Sequence, residues 1–406
     1  SSLLGSMNYI TTVVKCRTKG MKFFRMPMTT WALFITAILQ AVALPVLTSA
    51  LILQLLDRTL ETSFFLPDIA NYAINNSLVH NTGGQPLLWQ HMFWFYSHPA
   101  VYIMILPAMG LVSDVITTFV RKPLFGYKPM IFSIASIACL GFMVWGHHMF
   151  QAGMNPALGM TFMVSTMLIA LPSAIKTFNW LGTIWGSRIQ WTTPFLNAVA
   201  FVSMFVIGGL SGVFMAATPV DIHIHDTYFI VAHIHYVLFG GSLFGFFAGL
   251  YYWFPKMFGK KMNEFWGKVH FLGSFICFNV VFFPMHILGM AGFPRRYADP
   301  YHFNLWSGAQ EMNQVMTVAA VLLGFFQIIL FLNVILTWIK GKKCEGNPWR
   351  ANSLEWHTPT VIPAHGNWGE KTPVVYRGPY EYAAPGSDED GYLPQTAPPD
   401  GTAPAG

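Results

Sequence analysis

The sequence predicts an all-α, polytopic transmembrane helix bundle with eight full spans, the remnant of an earlier helix and an irregular C-terminal tail. Hydrophobic residues make up 54% of the 406 residues and charged residues only 10%, with a mean hydropathy of +0.46. This balance is typical of integral membrane proteins. The formal net charge of +6 comes from short basic clusters between apolar runs. It therefore indicates membrane-flanking loops, and we expect no nucleic-acid partner.

The apolar runs give the elements in order. Residues 1–14, SSLLGSMNYITTVV, read as the end of an earlier helix, which suggests that N-terminal residues are missing. Each later run is long enough to cross a bilayer with some tilt. The four cysteines are isolated, which gives no disulfide framework and no thiolate metal site. The predicted spans are 28–56, 88–120, 127–152, 157–185, 193–217, 226–254, 265–290 and 311–339.

Two regions follow from this pattern. Residues 1–340 form the transmembrane core. Residues 341–406 are rich in Pro, Gly and acidic residues and lack an apolar run. We expect them to form a cytoplasmic tail that lies against the bundle or against a neighbouring subunit.

Lysine and arginine mark alternate loops, which sets the predicted orientation of the spans. The intervening loops 57–87, 153–156 and 218–225 contain a single basic residue of the Lys/Arg type, Arg58, and are placed outside. Arg295 and Arg296 break the alternation, and this pair indicates an anionic partner on the outer side. The clusters placed on the cytoplasmic (or matrix) side are Lys15, Arg17, Lys19, Lys22 and Arg25; Arg121, Lys122 and Lys128; Arg188; Lys256, Lys260 and Lys261; and Lys340, Lys342, Lys343 and Arg350.

Five histidines from three spans are predicted to lie at one outer level of the membrane. His98 lies about 15 Å below the outer surface at 1.5 Å per residue, and His147 and His148 lie near the outer end of the next span. His233 and His235 are two residues apart, so they leave their helix on opposite faces. Three imidazoles form a copper site with an open position, and the other two remain for haem iron. The alternative is that these are buried, hydrogen-bonded histidines with no cofactor, but intramembrane histidines are usually functional.

Lys176 and Tyr102 are the other unusual residues within the spans. Lys176, with Ser173 one turn away, lies toward the cytoplasmic side and predicts a hydrated proton path. The alternative is that its side chain reaches the inner interface. Tyr102 lies on the His98 face of its helix, so its phenol is placed to donate to chemistry at the histidine level.

Two polar residues start the helix that carries His233 and His235. His225 and Asp226 either cap the helix N-terminus or bind a hard cation together with another chain. Arg295 and Arg296, on the outer side above the haem level, are expected to bind haem propionates.

Four motifs in order resemble subunit I of the haem-copper oxygen reductases, and most of all the A-type cytochrome c oxidases. The tail segment SLEW (353–356) fits the same resemblance, which covers essentially the whole chain through the tail. The four motifs are WFYSHPAVY (94–102), VWGHHM (144–149), HDTYFIVAHIHY (225–236) and GFPRRY (292–297).

The resemblance implies a role for each matching residue. His98, His147 and His148 would bind the active-site copper, with Trp94 packed beside it. Tyr102 would be covalently bonded to the first copper histidine. His233 would be the proximal ligand of a high-spin haem A, and His235 would be one ligand of a low-spin haem A whose second axial ligand is not in this chain. Arg295 and Arg296 would bind the haem propionates.

The remaining implied roles concern magnesium and protons. His225 and Asp226 would be magnesium ligands at the subunit II interface. Lys176 and Ser173 would belong to one proton pathway, and Ser1 and Ser2 to the other.

The sequence departs from the family pattern at two points. Most A-type members have a glutamate two residues after the first copper histidine, where this chain has Ala100. Tyr96 and Ser97 resemble a bacterial subgroup in which these hydroxyls are thought to replace the glutamate, and hydroxyls can relay protons without ionising. The second departure is that the family's other low-spin haem ligand and the aspartate at the mouth of the second proton path belong to helices upstream of residue 1. We expect either that the sequence is truncated or that another chain supplies them.

The expected function is that of a terminal respiratory oxidase, a cytochrome c oxidase that reduces dioxygen to water and translocates protons. Expected partners are a dicopper-bearing subunit II, subunit III, accessory subunits, cytochrome c, dioxygen and membrane lipid. The expected location is the bacterial cytoplasmic (inner) membrane. The alternatives are a quinol oxidase of the same family, or a membrane scaffold or transporter whose histidines are structural.

Overall fold

A computed structural model describes residues 1–66, 84–302, 304–359, 367–368 and 372–399 of the chain. It confirms the predicted all-α membrane bundle. Much of the predicted outer loop 57–87 and parts of the predicted tail 341–406 lie outside the described residues. The described residues contain twelve α-helices: α1 (Ser2–Lys15), α2 (Met28–Thr59), α3 (Pro86–Val120), α4 (Tyr127–Gly141), α5 (Pro156–Leu168), α6 (Ala170–Ile184), α7 (Thr193–Ala216), α8 (Thr218–Ile224), α9 (Tyr228–His235), α10 (Phe244–Phe258), α11 (Glu264–Met290) and α12 (Gln310–Lys340).

Seven continuous helical segments within the described ranges are long and apolar enough to cross a membrane, with α5–α6 and α9–α10 each forming one segment. The predicted span 127–152 is the exception. Its α-helix, α4, ends at Gly141, and a 3₁₀ helix follows at Trp145–Met149. The two adjacent histidines, His147 and His148, therefore lie in the 3₁₀ helix and not in α4.

Helix α3 lies at the centre of the bundle, and most of its second half is buried. Every residue from Ala108 to Val120 except Leu111 is buried. Glycine allows neighbouring helices to approach α3 closely. A Cβ on Gly110 would lie 2.7 Å from the Ala32 side chain of α2, and one on Gly245 would lie 2.7 Å from that of Ala108.

A π-helical segment follows His235 directly. Residues Tyr236–Leu243 form π-type turns between α9 and α10. Segments of this kind widen a helix locally and are frequent at functional sites. Here the segment sets the direction of α10 relative to the histidine pair.

The described part of the tail packs on the end of the bundle that carries the basic loops. The Trp349 indole donates to the Tyr252 carbonyl at 2.8 Å, and the Arg121 guanidinium donates to the Trp349 carbonyl at 2.6 Å. The Gln395 amide donates to the Arg25 carbonyl at 2.9 Å. The tail therefore lies against the bundle, as one of the two alternatives predicted.

Asp114 of α3 joins the tail to two helices. This buried carboxylate accepts hydrogen bonds from the Met28 and Thr29 amides, at 3.3 and 3.2 Å. It also accepts from the Thr29 and Tyr380 hydroxyls. A side chain of α3 therefore caps the N-terminus of α2, where free N–H groups favour a negative charge.

We expect Asp114→Asn to loosen both the start of α2 and the tail. The new amide nitrogen cannot accept, so at least one buried donor loses its partner, at a cost of about 1–3 kcal/mol. Thermal unfolding of the purified complex and limited proteolysis of the tail measure the effect. Asp390→Asn is the control, because that carboxylate is exposed and pairs only with Arg350. Tail cleavage at the wild-type rate in Asp114→Asn would contradict this role.

Candidate metal centre

His98, His147 and His148 meet at one point inside the bundle. One nitrogen from each ring lies within 4.8 Å of the other two. His98 is buried within α3, whereas His147 and His148 come from the 3₁₀ helix after α4. The structure therefore brings together the three residues predicted to bind copper.

The hydrogen bonds fix which nitrogen of His147 faces the centre. The Thr166 hydroxyl donates to the Phe162 carbonyl at 2.6 Å, so its oxygen accepts from His147 Nδ1 at 3.0 Å. With its proton on Nδ1, neutral His147 turns the lone pair of Nε2 inward. Partners of this kind orient metal-binding histidines in proteins.

The facing nitrogens form a donor set that fits a metal. His148 Nε2 lies 3.1 Å from His98 Nδ1 and 3.1 Å from His147 Nε2. One shared proton can satisfy at most one of these two contacts. A copper ion satisfies all three lone pairs, and imidazole suits copper. The three residues therefore fit the copper that the resemblance implies.

Two aromatic side chains pack on the three histidines. The Trp94 ring stacks on His148, with ring centroids 3.8 Å apart and planes 6° apart. The Tyr102 ring meets His98 edge-on at 4.5 Å. His98 Nε2 has no hydrogen-bond partner among the described residues. Because His98 Nδ1 faces the other two histidines, Nε2 is the nitrogen available for the bond to Tyr102 that the resemblance implies.

In both His233 and His235, Nδ1 forms a hydrogen bond with a backbone carbonyl. His233 Nδ1 lies 2.9 Å from the Gly208 carbonyl of α7, and His235 Nδ1 lies 2.7 Å from the Val231 carbonyl. A proton on Nδ1 leaves the lone pair of Nε2 for a metal. The two residues therefore fit the axial haem-ligand roles predicted for them.

The surroundings of these two histidines differ. A Cβ on Gly212 would lie 2.9 Å from His233 Cε1, so α7 holds that ring closely. His235 stacks on Phe282 at 4.1 Å and borders an apolar groove of about 610 Å³. An open apolar groove beside an imidazole suits a flat group such as a porphyrin. The groove is lined by Met104, Pro107, Ala108, Leu111, Ile234, His235, Leu238, Phe239, Ser242, Leu243 and Phe246.

The outer loops gather charged groups around Asp226. Its carboxylate lies 3.5 Å from the Arg295 guanidinium and 3.4 Å from that of Arg296. His225 lies between Asp221 and Asp226, at 3.6 and 3.8 Å. Burial raises the pKa of Asp221 to about 6, which the nearby His225 opposes. Burial also lowers the pKa of Arg295.

One alternative for this region is wrong. Neither His225 nor Asp226 caps the following helix, because Thr227 does so by accepting from the Phe229 amide at 3.2 Å. Asp226 instead has a left-handed backbone with φ of 54°. This conformation turns its carboxylate toward the two arginines.

Lys176 lies inside the bundle and does not reach an interface. Its side chain is 0% exposed, and its Nζ has no hydrogen-bond partner among the described residues. That nitrogen lies 5.2 Å from the Trp180 ring centroid. The alternative of a lysine extended to the membrane surface is therefore wrong. Ser173, on the same helix, is half-buried.

The remaining predicted residues lie on α1 and α3. Tyr96, Ser97 and Ala100 are half-buried on α3, close to His98 in sequence. Ser2 lines a surface pocket with Tyr9 of α1 and residues of α2.

Sequence reasoning missed the residues that orient the histidines. Thr166 and the Gly208 carbonyl were not singled out, because a lone threonine or glycine in an apolar span carries no signal of its own. Asp221 could have been found, because it lies four residues before His225 in a short helix.

We expect Thr166→Val to weaken copper binding about tenfold or more. Valine keeps the shape of threonine but removes the acceptor that holds His147 Nδ1. Copper content of the purified complex, measured during a chelator titration, tests this, and haem content should stay unchanged. Thr161→Val is the matched control, since Thr161 lies on the same helix but is exposed and bonds only the Ala157 carbonyl. Equal copper retention in the two variants would contradict the role of Thr166.

The chain is similar to known proteins over most of its length. The family model described as Cytochrome C and Quinol oxidase polypeptide I matches residues 1–322. The chain is 42% identical to the alternative cytochrome c oxidase subunit 1 of Bradyrhizobium diazoefficiens, covering 98% of this chain and 66% of that protein. It is 47% identical to cytochrome c oxidase subunit 1 of Synechocystis sp., covering 94% and 66%.

Other relatives are covered over a smaller part of their length. The chain is 43% identical to cytochrome c oxidase subunit 1 of Bacillus subtilis, covering 90% of this chain and 56% of that protein. The chain therefore spans between 56% and 66% of the length of these curated relatives.

A solved structure shows the same fold. A cryo-EM structure of a heme-copper terminal oxidase dimer matches with a TM-score of 0.65 at 22% identity, covering 79% of this chain and 58% of that one. Together with the family model, which matches well over half of the residues, these relatives identify the chain as a member of the Cytochrome C and Quinol oxidase polypeptide I family.

Proposed function

We propose that this chain is the catalytic subunit of a terminal respiratory oxidase, which takes electrons from a cytochrome c and reduces dioxygen to water. The observation that carries the proposal is the meeting of three imidazole nitrogens within 4.8 Å of one another in a membrane bundle of this family. The curated relatives are named cytochrome c oxidases, which favours a cytochrome c as donor. The family model also covers quinol oxidases, so a quinol donor is the second candidate.

The proposed cofactor ligands follow from the free nitrogens. His98, His147 and His148 hold copper. His233 would hold a high-spin haem A, and His235 would hold a low-spin haem A. When bound, the haems and copper supply the electron-transfer and oxygen chemistry that side chains lack.

The chain's own groups position these cofactors and exclude water. Trp94 covers one face of His148, which fixes that ring and keeps water from it. Arg295 and Arg296 offer guanidinium groups to haem propionates. His225 and Asp226 would hold a magnesium ion together with groups from subunit II.

Protons reach the histidines through groups buried in the bundle. A buried ammonium without a partner is costly in a membrane. We therefore assign Lys176, with Ser173, to a proton path in which Nζ exchanges a proton with water. The Tyr102 hydroxyl then donates at the His98 side. Ala100 stands where most A-type members have a glutamate, and its side chain cannot carry a proton. The Tyr96 and Ser97 hydroxyls relay protons along that part of α3 instead.

The proposed setting follows from the charge pattern and the family. The chain spans the bacterial cytoplasmic membrane with its tail on the cytoplasmic side, where the basic loops lie. Its partners are subunit II, which brings electrons through a dicopper centre, subunit III and accessory subunits. Proton translocation accompanies turnover.

An optical spectrum tests the proposed function. We expect the dithionite-reduced complex to show haem α-band absorption and to consume oxygen with reduced cytochrome c as donor. Oxygen consumption with a quinol but not with cytochrome c would select the quinol oxidase. Absence of a haem band in the purified complex would contradict both and favour a scaffold or transporter.

We expect Tyr96→Phe combined with Ser97→Ala to slow oxygen turnover about tenfold or more, because a general proton-transfer contribution is about 10²–10⁴-fold. Haem and copper contents should stay at wild-type levels, since neither residue is a proposed ligand. Ser136→Ala, an exposed hydroxyl on α4, is the control. Unchanged turnover in the double variant would remove these two hydroxyls from the proton path.

A further inference from the structure

Four aromatic rings form an exposed patch beside the start of α2. They are Phe23 and Phe24, in a 3₁₀ turn over Phe23–Arg25, with Trp31 of α2 and Phe132 of α4. Ring centroids of Trp31 lie 5.8 Å from Phe23 and 6.2 Å from Phe24, and Phe24 lies 6.4 Å from Phe132. The three phenylalanines are 36%, 46% and 59% exposed. The Arg17 guanidinium lies over one face of the Phe23 ring, and much of the remaining surface of the phenylalanine rings is exposed.

The patch is held in place by its own hydrogen bonds. The Trp31 indole donates to the Phe23 carbonyl at 3.1 Å, which ties the turn to the first helical turn of α2. The Arg25 guanidinium donates to the Gly20 and Val375 carbonyls, both at 3.0 Å. The rings are therefore positioned before any partner arrives, which lowers the cost of binding.

Exposed lysines surround the same rings. Lys128 Nζ lies 5.4 Å from the Phe24 ring centroid, and Lys22 precedes Phe23 directly. Residues 1–56 contain no Asp or Glu. None of the ion pairs seen among the described residues involves Lys15, Lys19, Lys22 or Lys128. The lysines therefore remain available to an external anion.

Their arginine neighbours are already engaged. Arg17 donates to the Met21 carbonyl at 3.1 Å and to the Val13 carbonyl, and its guanidinium lies 4.0 Å from the Phe23 ring centroid. Arg25 is held as described above. The free cations of the patch are thus the lysines, which bind phosphate as point charges.

We propose that this patch, formed by Phe23, Phe24, Trp31 and Phe132 with Lys22 and Lys128, binds an anionic phospholipid. The lysine ammonium groups bind the headgroup phosphate, and the acyl chains lie on Phe24 and Phe132. Exposed aromatic rings next to free lysines at the end of membrane spans match a lipid–water interface. A soluble phosphate would use the lysines but would leave the rings exposed to water. The proposal does not depend on the oxidase assignment, because none of these residues belongs to the metal centre.

Native mass spectrometry of the purified, delipidated complex tests the site, with phosphatidylglycerol as the probe and phosphatidylcholine as the neutral comparison. Each lysine near a membrane surface contributes about fivefold to anionic-lipid affinity. We expect Lys22→Gln with Lys128→Gln to raise the apparent Kd of the first bound phosphatidylglycerol at least tenfold and to leave phosphatidylcholine binding unchanged. Phe24→Ala with Phe132→Ala should weaken the binding of both lipids.

Lys342→Gln with Lys343→Gln is the matched control. It removes the same charge from two exposed lysines on a basic loop away from the aromatic rings. Its phosphatidylglycerol affinity should equal that of the wild type. Equal weakening in both lysine variants, or in neither, would overturn the site. Displacement of the lipid by an equal concentration of inorganic phosphate would overturn the phospholipid assignment in favour of a soluble anion.

A measurement on the unaltered complex avoids dependence on variants. Phosphatidylglycerol should protect Lys22 and Lys128 from amine acetylation, as read by peptide mass spectrometry, and should leave Lys342 labelled. If both lysines are protected without added lipid and cross-link to another subunit, the patch is a protein interface and the proposal fails.

Discussion

The arrangement depends on three imidazole lone pairs that converge inside an apolar bundle. His98, His147 and His148 come from two different elements, yet their ring nitrogens lie within 4.8 Å of one another. Lone pairs at this separation repel unless a cation or a shared proton lies between them, and there are more contacts than one proton can satisfy. The break in α-helix after Gly141, the Thr166 bond and the stacked Trp94 all serve to hold this convergence.

The bundle supplies rigidity around that point. Helix α3 carries His98 in its first half and is largely buried in its second, where Asp114 caps α2 and receives the tail. His98 lies about four helical turns before Asp114, so a helix held at Asp114 leaves the histidine little freedom. The close contacts at glycines along α3 also limit the movement of this helix, because small residues let helices pack at short distance.

The sequence was sufficient for the all-α membrane bundle and for seven of the eight predicted spans. Length and apolar composition mark membrane helices strongly, and a histidine in an apolar run is conspicuous. The partners of those histidines could not be read, because Thr166 reaches His147 across nineteen residues through a fold that local pattern does not encode. The end of α4 at Gly141 was missed for a similar reason, since the apolar run continues beyond it. The sequence left open whether His225 and Asp226 cap this helix, and the structure gives the cap to Thr227. The three adjacent residues all carry side chains that can accept a hydrogen bond at a helix N-terminus.

Copper and haem analysis of the purified complex in histidine variants tests the central claim most directly. Our account predicts that His148→Ala removes the copper bound by this chain while both haem signals persist, since His148 faces the other two imidazoles and bonds no group outside the three. It also predicts that His235→Ala removes one haem signal and leaves that copper in place. Copper content that is unchanged in His148→Ala would contradict the account, because the three rings would then be packing against one another and not around a metal.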